Sequence, residues 1–208
     1  ELLRSESSFE TVTWKEGKTL PSGDWHPLFI RRGKQLRAVP QDSALKELVK
    51  TDDEVICLRR SEGFLERALR SGGFLKIECE TIDELYRKLA QAGSAIQETL
   101  DPAKILEDLF EQGRIFPAFL GRGIAIPQVH CDNLETRICF AASLKHPLIV
   151  KGQEEAILHV FFLISPRGDT EGHLATLAEI ARNCRSEQKR KQLEQAESID
   201  QVIAAMNG

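Results

Sequence analysis

The spacing of apolar residues changes character near residue 74. In the first part of the chain, short runs alternate between apolar and polar positions and are separated by glycine and proline, a pattern typical of strands joined by turns. The predicted strands cover residues 9–14, 27–31, 35–39 and 53–58, with a short helical or turn segment at 45–49. We therefore predict a small, mostly β domain over residues 1–60.

From residue 74 onward, strand patterns alternate with helical ones. Apolar residues alternate with charged ones over 74–79, and further strands are predicted at 123–126, 137–144 and 156–165. Apolar residues at helical spacing predict helices near 82–92, 102–112, 171–184, 187–195 and 199–206. Strand 156–165 is apolar on both faces, which favours a central position in a sheet covered on both sides. The pattern predicts an α/β layered domain over residues 74–208.

Residues 61–73, between these two parts, combine charged residues with a short apolar period. Phe64, Leu65, Ala68 and Leu69 recur at helical spacing, and Ser71-Gly72-Gly73 follows directly. Because glycine pairs interrupt regular structure, we predict a linker over residues 61–73 that contains one brief helix.

Composition and charge exclude several classes of function. The 28 basic and 32 acidic residues are mixed along the chain, whereas a nucleic-acid surface needs clustered Lys and Arg, so we expect no nucleic-acid partner. The longest apolar run, 157–164, is far shorter than the roughly 20 residues that cross a bilayer. Five cysteines without a C-x-x-C pair or zinc-finger spacing predict reduced thiols and no metal or other cofactor. The chain begins at Glu1 without the pattern of a signal peptide, and we expect it to be a piece of a longer protein.

The candidate chemistry is concentrated in one loop, Gly121-Arg122-Gly123-Ile124-Ala125-Ile126-Pro127-Gln128-Val129-His130. With the strand and helices before it and His173-Leu174 at the start of a later helix, it resembles the mannitol/fructose type of phosphotransferase-system enzyme IIA (EIIA) domain over residues 74–206. The resemblance implies a mixed-sheet α/β fold. In that family the loop runs Gly-x-Gly-Ile-Ala-Ile-Pro-His and ends in the phospho-accepting histidine. Here Gln128 stands in that position, and an amide cannot carry a phosphoryl group.

The resemblance also implies which residues surround the site. In the family, the histidine at the position of His173 faces the phospho-acceptor. Glycines allow backbone amides to approach an anion closely, and Arg122 between two of them either meets an anion or is solvated. We predict a ligand or anion pocket formed by Gly121, Arg122, Gly123, Gln128, His130 and His173, without a catalytic residue or a metal.

Three interpretations of the altered loop remain open. The site has lost phosphotransfer and its pocket binds a ligand or a partner; or His130 has become the phospho-acceptor; or the domain is a scaffold for packing or oligomerisation. If the backbone is extended after Pro127, residues 128 and 130 point to the same side, which supports a role for His130. His159, inside the predicted central strand, is expected to be a hydrogen-bonded core residue instead of a ligand.

The first part of the chain carries a second resemblance, based on Gly17-Lys18-Thr19-Leu20, Ile30-Arg31-Arg32-Gly33, Pro40, Asp42, Leu45 and Asp53-Glu54-Val55. Over residues 9–60 this pattern is similar to the TrkA-C (RCK-C) regulatory domain. Together the two resemblances imply the cytosolic tail of a sodium/proton or potassium/proton antiporter, on the cytoplasmic side of the membrane. Such a tail is expected to act with the transmembrane domain of its own chain, to form a homodimer, and to bind a small ligand such as a nucleotide. Enzymatic activity is expected only if His130 accepts a phosphoryl group.

Overall fold

The computed structural model describes residues 7–15, 25–40, 45–60, 62–115 and 119–207. The chain divides into two units, Glu1–Gly63 and Phe64–Gly208. Parts of the sequence patterns lie outside the described residues, namely residues 17–20 and Asp42 of the TrkA-C-like pattern and residues 116–118 before the loop.

Four antiparallel strands form the sheet of the first unit. They are β1 (Ser7–Thr13), β2 (Trp25–Arg32), β3 (Gln35–Ala38) and β4 (Glu54–Arg60), in the order β1-β4-β2-β3. Gly33 in the turn between β2 and β3 has a φ of +57°, which glycine adopts without strain. A short helix, α1 (Leu45–Leu48), precedes β4. The predicted hairpin and the mostly β character of this part are confirmed.

The buried interior of the first unit combines a small apolar cluster with one buried carboxylate. Trp14, Val55 and Cys57 form the apolar cluster. The carboxylate of Asp53 accepts hydrogen bonds from Arg32 Nε at 2.7 Å and Arg32 Nη2 at 2.6 Å, and from the backbone N–H of Lys50 at 2.8 Å. The bonds from Arg32, more than any other contact, hold the pKa of Asp53 below its ordinary value. They link the end of β2 to the turn before β4.

A six-stranded mixed sheet forms the centre of the second unit. Its strands are β5 (Gly73–Ile77), β6 (Phe119–Gly121), β7 (Ile124–Ala125), β8 (Gln128–Cys131), β9 (Ile138–Leu148) and β10 (Ile157–Pro166). The order is β5-β9-β10-β7-β6, and β8 also pairs with β10. β10 is antiparallel to β9 and parallel to β7 and β8, so it is central, as its doubly apolar pattern predicted.

Helices cover both faces of this sheet. α3 (Ile82–Ile96) and α4 (Pro102–Ile115) contribute to one buried apolar cluster, and α2 (Phe64–Gly72), α5 (Thr170–Cys184), α6 (Glu187–Glu194) and α7 (Ile199–Asn207) contribute to the other. Alternate residues of β10 belong to different clusters, Val160 and Phe162 to the first, Phe161 and Leu163 to the second. The predicted mixed-sheet α/β layered architecture is therefore confirmed.

Residues 64–72 differ from the predicted linker, because they form α2 within the second unit. Leu65 and Leu69 are buried in the second apolar cluster, and a Cβ on Gly72 would overlap the backbone of Cys139. The carboxylate of Glu179 accepts hydrogen bonds from the first N–H groups of the helix, Phe64 at 3.2 Å and Leu65 at 2.9 Å. The predicted linker over 61–73 therefore does not describe this segment, because its apolar face is covered by the sheet and by α5.

Within the described residues, no helix has both the length and the apolar composition required to cross a membrane.

Candidate functional site

Strand β8 places Gln128 and His130 on the same face of the sheet. Its backbone pairs in parallel with β10, with Gln128 opposite Leu163 and His130 opposite Ser165. The N–H of Leu163 donates to the carbonyl of Pro127 at 3.0 Å, so the pairing begins at the end of the Ile-Pro segment. The backbone after Pro127 is thus extended, which is the condition under which residues 128 and 130 point to the same side.

The structure brings His130 together with His173. Their ring centroids are 4.5 Å apart and the rings are tilted by 43°. His173 lies in the first turn of α5, which is capped by Asp169, whose carboxylate accepts from the N–H of Gly172 at 3.1 Å. Ser165 Oγ and His173 Nδ1 are 2.8 Å apart, and both residues are buried. Strand β10 and the cap of α5 therefore fix the ring that faces His130.

His173 is held neutral by its surroundings. Its pKa is lowered to about 4, chiefly by burial and to a smaller extent by the neighbouring His130 and Arg137, while Asp169 acts in the opposite direction. At neutral pH the two rings therefore do not face each other as two cations.

Arg137 is a member of this cluster that sequence analysis did not find. Its guanidinium forms an ion pair with Asp169 and lies over the ring of Phe64, at 5.1 Å from the centroid. A Cβ on Gly172 would overlap the guanidinium, so Arg137 packs directly against this glycine. The Nε of Arg137 is buried without a hydrogen-bond partner. The only sequence signals for this cluster were Asp169, which directly precedes a predicted helix, and Ser165, the polar residue near the end of an apolar strand.

The Gly121-Arg122-Gly123 turn lies apart from the histidines. All three residues have positive φ, +78°, +57° and +76°, as they connect β6 to β7. The N–H of Arg122 donates to the carboxylate of Glu155, and Arg122 Nη1 donates to the carbonyl of Arg185 at 2.8 Å. The backbone amide predicted to meet an external anion already binds a carboxylate of the same chain.

The six residues predicted as one pocket are thus divided among different places. The Gly121 to Gly123 turn lines a cavity of about 420 Å³ together with residues 152–157, including Glu154 and Glu155. Neither Gln128, His130 nor His173 lines that cavity. The prediction of a single anion pocket is corrected on this point, because the turn folds towards the loop before β10 and away from the start of α5.

Gln128 lines a second cavity, of about 230 Å³. Its walls are supplied by α3 and α4 on one side, by α5 on the other, and by the chain from β6 to β8: Tyr86, Leu109, Gln112, Gly113, Phe119, Leu120, Ile126, Pro127, Gln128, Leu177 and Ala181. The Oε1 atom of Gln128 is buried and has no hydrogen-bond partner. Gln128 therefore faces a mostly apolar space, while His130, two residues further along β8, faces His173.

In the parts of the chain that the structure describes, no group of three or more His, Cys, Asp or Glu side chains is arranged to hold a metal ion.

The family model of the EIIA type 2 domain of the phosphoenolpyruvate-dependent sugar phosphotransferase system matches residues 74–208. The chain belongs to this family. The predicted EIIA resemblance is confirmed, and the EIIA domain spans the second unit from β5 onward. A search of curated proteins found no match.

Solved EIIA structures share the fold of the second unit. The nitrogen regulatory protein IIA-Ntr from Neisseria meningitidis is 21% identical with a TM-score of 0.59, covering 65% of this chain and 93% of that chain. The mannitol IIA from Escherichia coli is 14% identical with a TM-score of 0.54, covering 66% and 96%. The Escherichia coli enzyme IIAMTL in its complex with phosphorylated enzyme IIBMTL is 15% identical with a TM-score of 0.55, covering 66% and 95%. At these identities the likeness supports the EIIA fold and leaves the activity of this chain to its own residues.

Proposed function

We propose that this chain is a cytosolic regulatory module of a membrane ion transporter of the sodium/proton or potassium/proton antiporter type. In this proposal its EIIA domain has lost the phospho-accepting histidine and senses a ligand or a partner. The observation that carries the proposal is Gln128, which occupies the position where the family loop ends in histidine and faces a mostly apolar cavity. An amide nitrogen is a poor nucleophile, because its lone pair is delocalised into the carbonyl.

The first unit supports the transporter part of the proposal. The TrkA-C resemblance of residues 9–60 includes the β2–β3 turn and the start of β4, which lie together through the Arg32 and Asp53 pair. TrkA-C domains regulate cation transport, so the partner would be the transmembrane domain of the same longer chain. A homodimer on the cytoplasmic side of the membrane is the assembly that this resemblance favours.

A phosphotransfer assay tests whether the EIIA domain has lost the ability to accept a phosphoryl group. The chain is incubated with enzyme I, the histidine-containing carrier protein and labelled phosphoenolpyruvate, beside an active EIIA domain as a positive control. We expect no stable label on this chain while the control is labelled. Stoichiometric, acid-labile label on this chain would overturn the proposal.

One observation favours a second candidate function, a phosphocarrier that uses His130. The imidazole of His130 lies 4.5 Å from that of His173, centroid to centroid. In this reaction the phosphorus–nitrogen bond of the phosphorylated carrier breaks as one forms to a ring nitrogen of His130, and the carrier histidine is released. Label that disappears in His130→Ala and persists in His146→Ala, an exposed histidine of β9, would establish it.

A transport assay tests the regulatory role. The longer protein that carries this chain is compared with a version truncated before residue 1, in membrane vesicles with an imposed pH gradient. We expect the truncation to change the rate of cation-dependent proton movement. Identical rates would contradict a regulatory role.

A further inference from the structure

The first residue of α2 is held by side chains from two other parts of the second unit. Phe64 directly follows Gly63, where the first unit ends. The carboxylate of Glu179, on α5, accepts hydrogen bonds from the N–H groups of Phe64 and Leu65. The guanidinium of Arg137, directly before β9, makes a cation–π contact with the Phe64 ring, at 5.1 Å from its centroid. The start of α2 is therefore fixed both by α5 and by the residue before β9.

Arg137 extends this contact to the N-terminal cap of α5. Its guanidinium pairs with the carboxylate of Asp169, and only 14% of the Arg137 side chain is exposed. The same carboxylate accepts from the N–H of Gly172 at 3.1 Å, and the carbonyl of Asp169 accepts from the N–H of His173 at 3.1 Å. Because a Cβ on Gly172 would already overlap the guanidinium, Arg137 cannot move towards α5 without displacing this cap.

His173 is the residue at which these contacts reach the candidate site. Its Nδ1 lies 2.8 Å from Ser165 Oγ, and its ring faces that of His130. A continuous series of direct contacts therefore runs from the Phe64 ring to the two imidazoles, through a guanidinium, a carboxylate and a helix cap.

The first turn of α2 gives this series of contacts two states. The first N–H groups of a helix have no partner within the helix, so a terminal turn opens more readily than the helix interior. Here the carboxylate of Glu179 closes the turn by accepting from Phe64 and Leu65. Opening of the turn withdraws the Phe64 ring from Arg137 and so removes one of the contacts that hold the guanidinium against Asp169.

We propose that Phe64, Arg137 and Asp169 form a conformational link, through which opening and closing of the first turn of α2 shifts the α5 cap and the His173 ring beside His130. The inference rests on the proposed function, in which the EIIA site acts in regulation. It identifies how the chain that enters the second unit at Phe64 acts on that site. Arg137 is a positioning residue in this link.

Amide hydrogen exchange of the full chain, followed by NMR, measures the link. Phe64→Leu removes the aromatic ring and leaves every charge in place, so a response at the α5 cap arises from packing alone. We expect the amides of Gly172 and His173, the cap amides, to exchange about fivefold faster, the effect of losing one cation–π contact. Amides of α3, on the opposite face of the sheet, should exchange at the wild-type rate.

Two control substitutions separate the link from a general loosening of the domain. Phe74→Leu makes the same chemical change in β5, at a partly buried ring that packs against the apolar cluster of α2. Arg67→Met removes the other guanidinium over the Phe64 ring, which is also 5.1 Å from the centroid. Neither control should change the exchange of the cap amides, whereas Arg137→Met should accelerate it. Melting temperatures verify that each variant is folded.

The link should also act in the reverse direction, because a coupling free energy between two sites is reciprocal. His173→Asn changes the site end of the link and should accelerate exchange of the Phe64 and Leu65 amides at the other end. His146→Asn, at an exposed histidine of β9, should leave them unchanged. This pair of variants decides the question even if Phe64→Leu does not fold.

The outcomes separate this inference from the proposed function. Cap amides that keep the wild-type rate in Phe64→Leu, an equal acceleration in Phe74→Leu, or Phe64 and Leu65 amides that do not respond to His173→Asn would each overturn the link. In those cases an absence of phosphoryl label together with a truncation effect on transport would leave the regulatory role standing. A link that is present while truncation leaves transport unchanged would instead overturn the proposed function.

Discussion

At the scale of single residues, a spacing of two positions along β8 separates two chemical environments. Gln128 and His130 share a face of the sheet, but successive same-face residues of a strand are nearly 7 Å apart. That distance allows His130 to contact His173 while Gln128 lines an apolar cavity. His173 therefore has an imidazole neighbour, although residue 128 is a glutamine.

The buried histidine of this pair predicts acid-sensitive stability. The folded pKa of His173, about 4, lies below its ordinary value of 6.5, chiefly because of burial. Between these values the unfolded chain binds more protons than the folded one, so stability is complete above pH 6.5 and falls as the pH decreases to 4. The shift corresponds to a loss of about 3 kcal/mol. Urea unfolding of the wild type and of His173→Asn between pH 4 and 7.5 measures it, and the variant should show a smaller loss.

His146→Asn is the matched control, since His146 is an exposed histidine in the same domain, and it should keep the pH dependence of the wild type. Burial also lowers the pKa of His159, so part of the acid sensitivity should persist in both variants. A His173→Asn variant with the full wild-type loss would show that His173 does not cause it.

At the scale of elements, local signals located the starts of the helices, and burial decided what α2 is. α3 begins at a capping box, in which Thr81 Oγ1 accepts from the N–H of Glu84 at 3.2 Å. The apolar period of residues 64–69 predicted a brief helix correctly. A short period and a glycine pair could not show that this helix is covered, because the covering surface comes from α5 and β9 far along the chain.

The buried face of α2 predicts a large stability loss on truncation of its side chains. Leu69 is fully buried, so Leu69→Ala should destabilise the second unit by about 3 kcal/mol through lost burial and a cavity. Ser71→Ala, at an exposed position of the same helix, should change stability by less than about 0.5 kcal/mol. Urea unfolding followed by circular dichroism measures both. Equal, small effects would indicate that the segment behaves as a linker.

At the scale of the whole molecule, the boundary of the second unit lies before the family domain begins. The EIIA family match starts at residue 74, whereas the unit defined by packing starts at Phe64. The ten intervening positions contribute Leu65, Ala68 and Leu69 to the core of the sheet face that also carries α5. The second unit therefore includes α2, a helix whose sequence pattern predicted a linker.

Fragments test this boundary. A fragment of residues 64–208 should fold with a cooperative thermal transition, because it retains α2 and the Glu179 cap. A fragment of residues 74–208 should lose cooperativity or aggregate, because removing α2 exposes the apolar surface of the sheet against which α2 packs. The measurements are differential scanning calorimetry and size-exclusion chromatography. Two fragments of equal stability would place the boundary at residue 74.

The residue pattern of the chain predicted the class of the fold, the order of most elements, the central position of β10 and the EIIA resemblance. These features depend on residue periods and on neighbouring residues, which the chain displays directly. Tertiary structure alone decided which candidates meet. The register of β8 on β10 sets Ser165 beside His130, and the packing of α5 brings His173 to them, whereas the Gly121 to Gly123 turn binds Glu155 instead. Such contacts join residues tens of positions apart, and the free energy that selects them comes from burial across the whole sheet, so no local pattern encodes them.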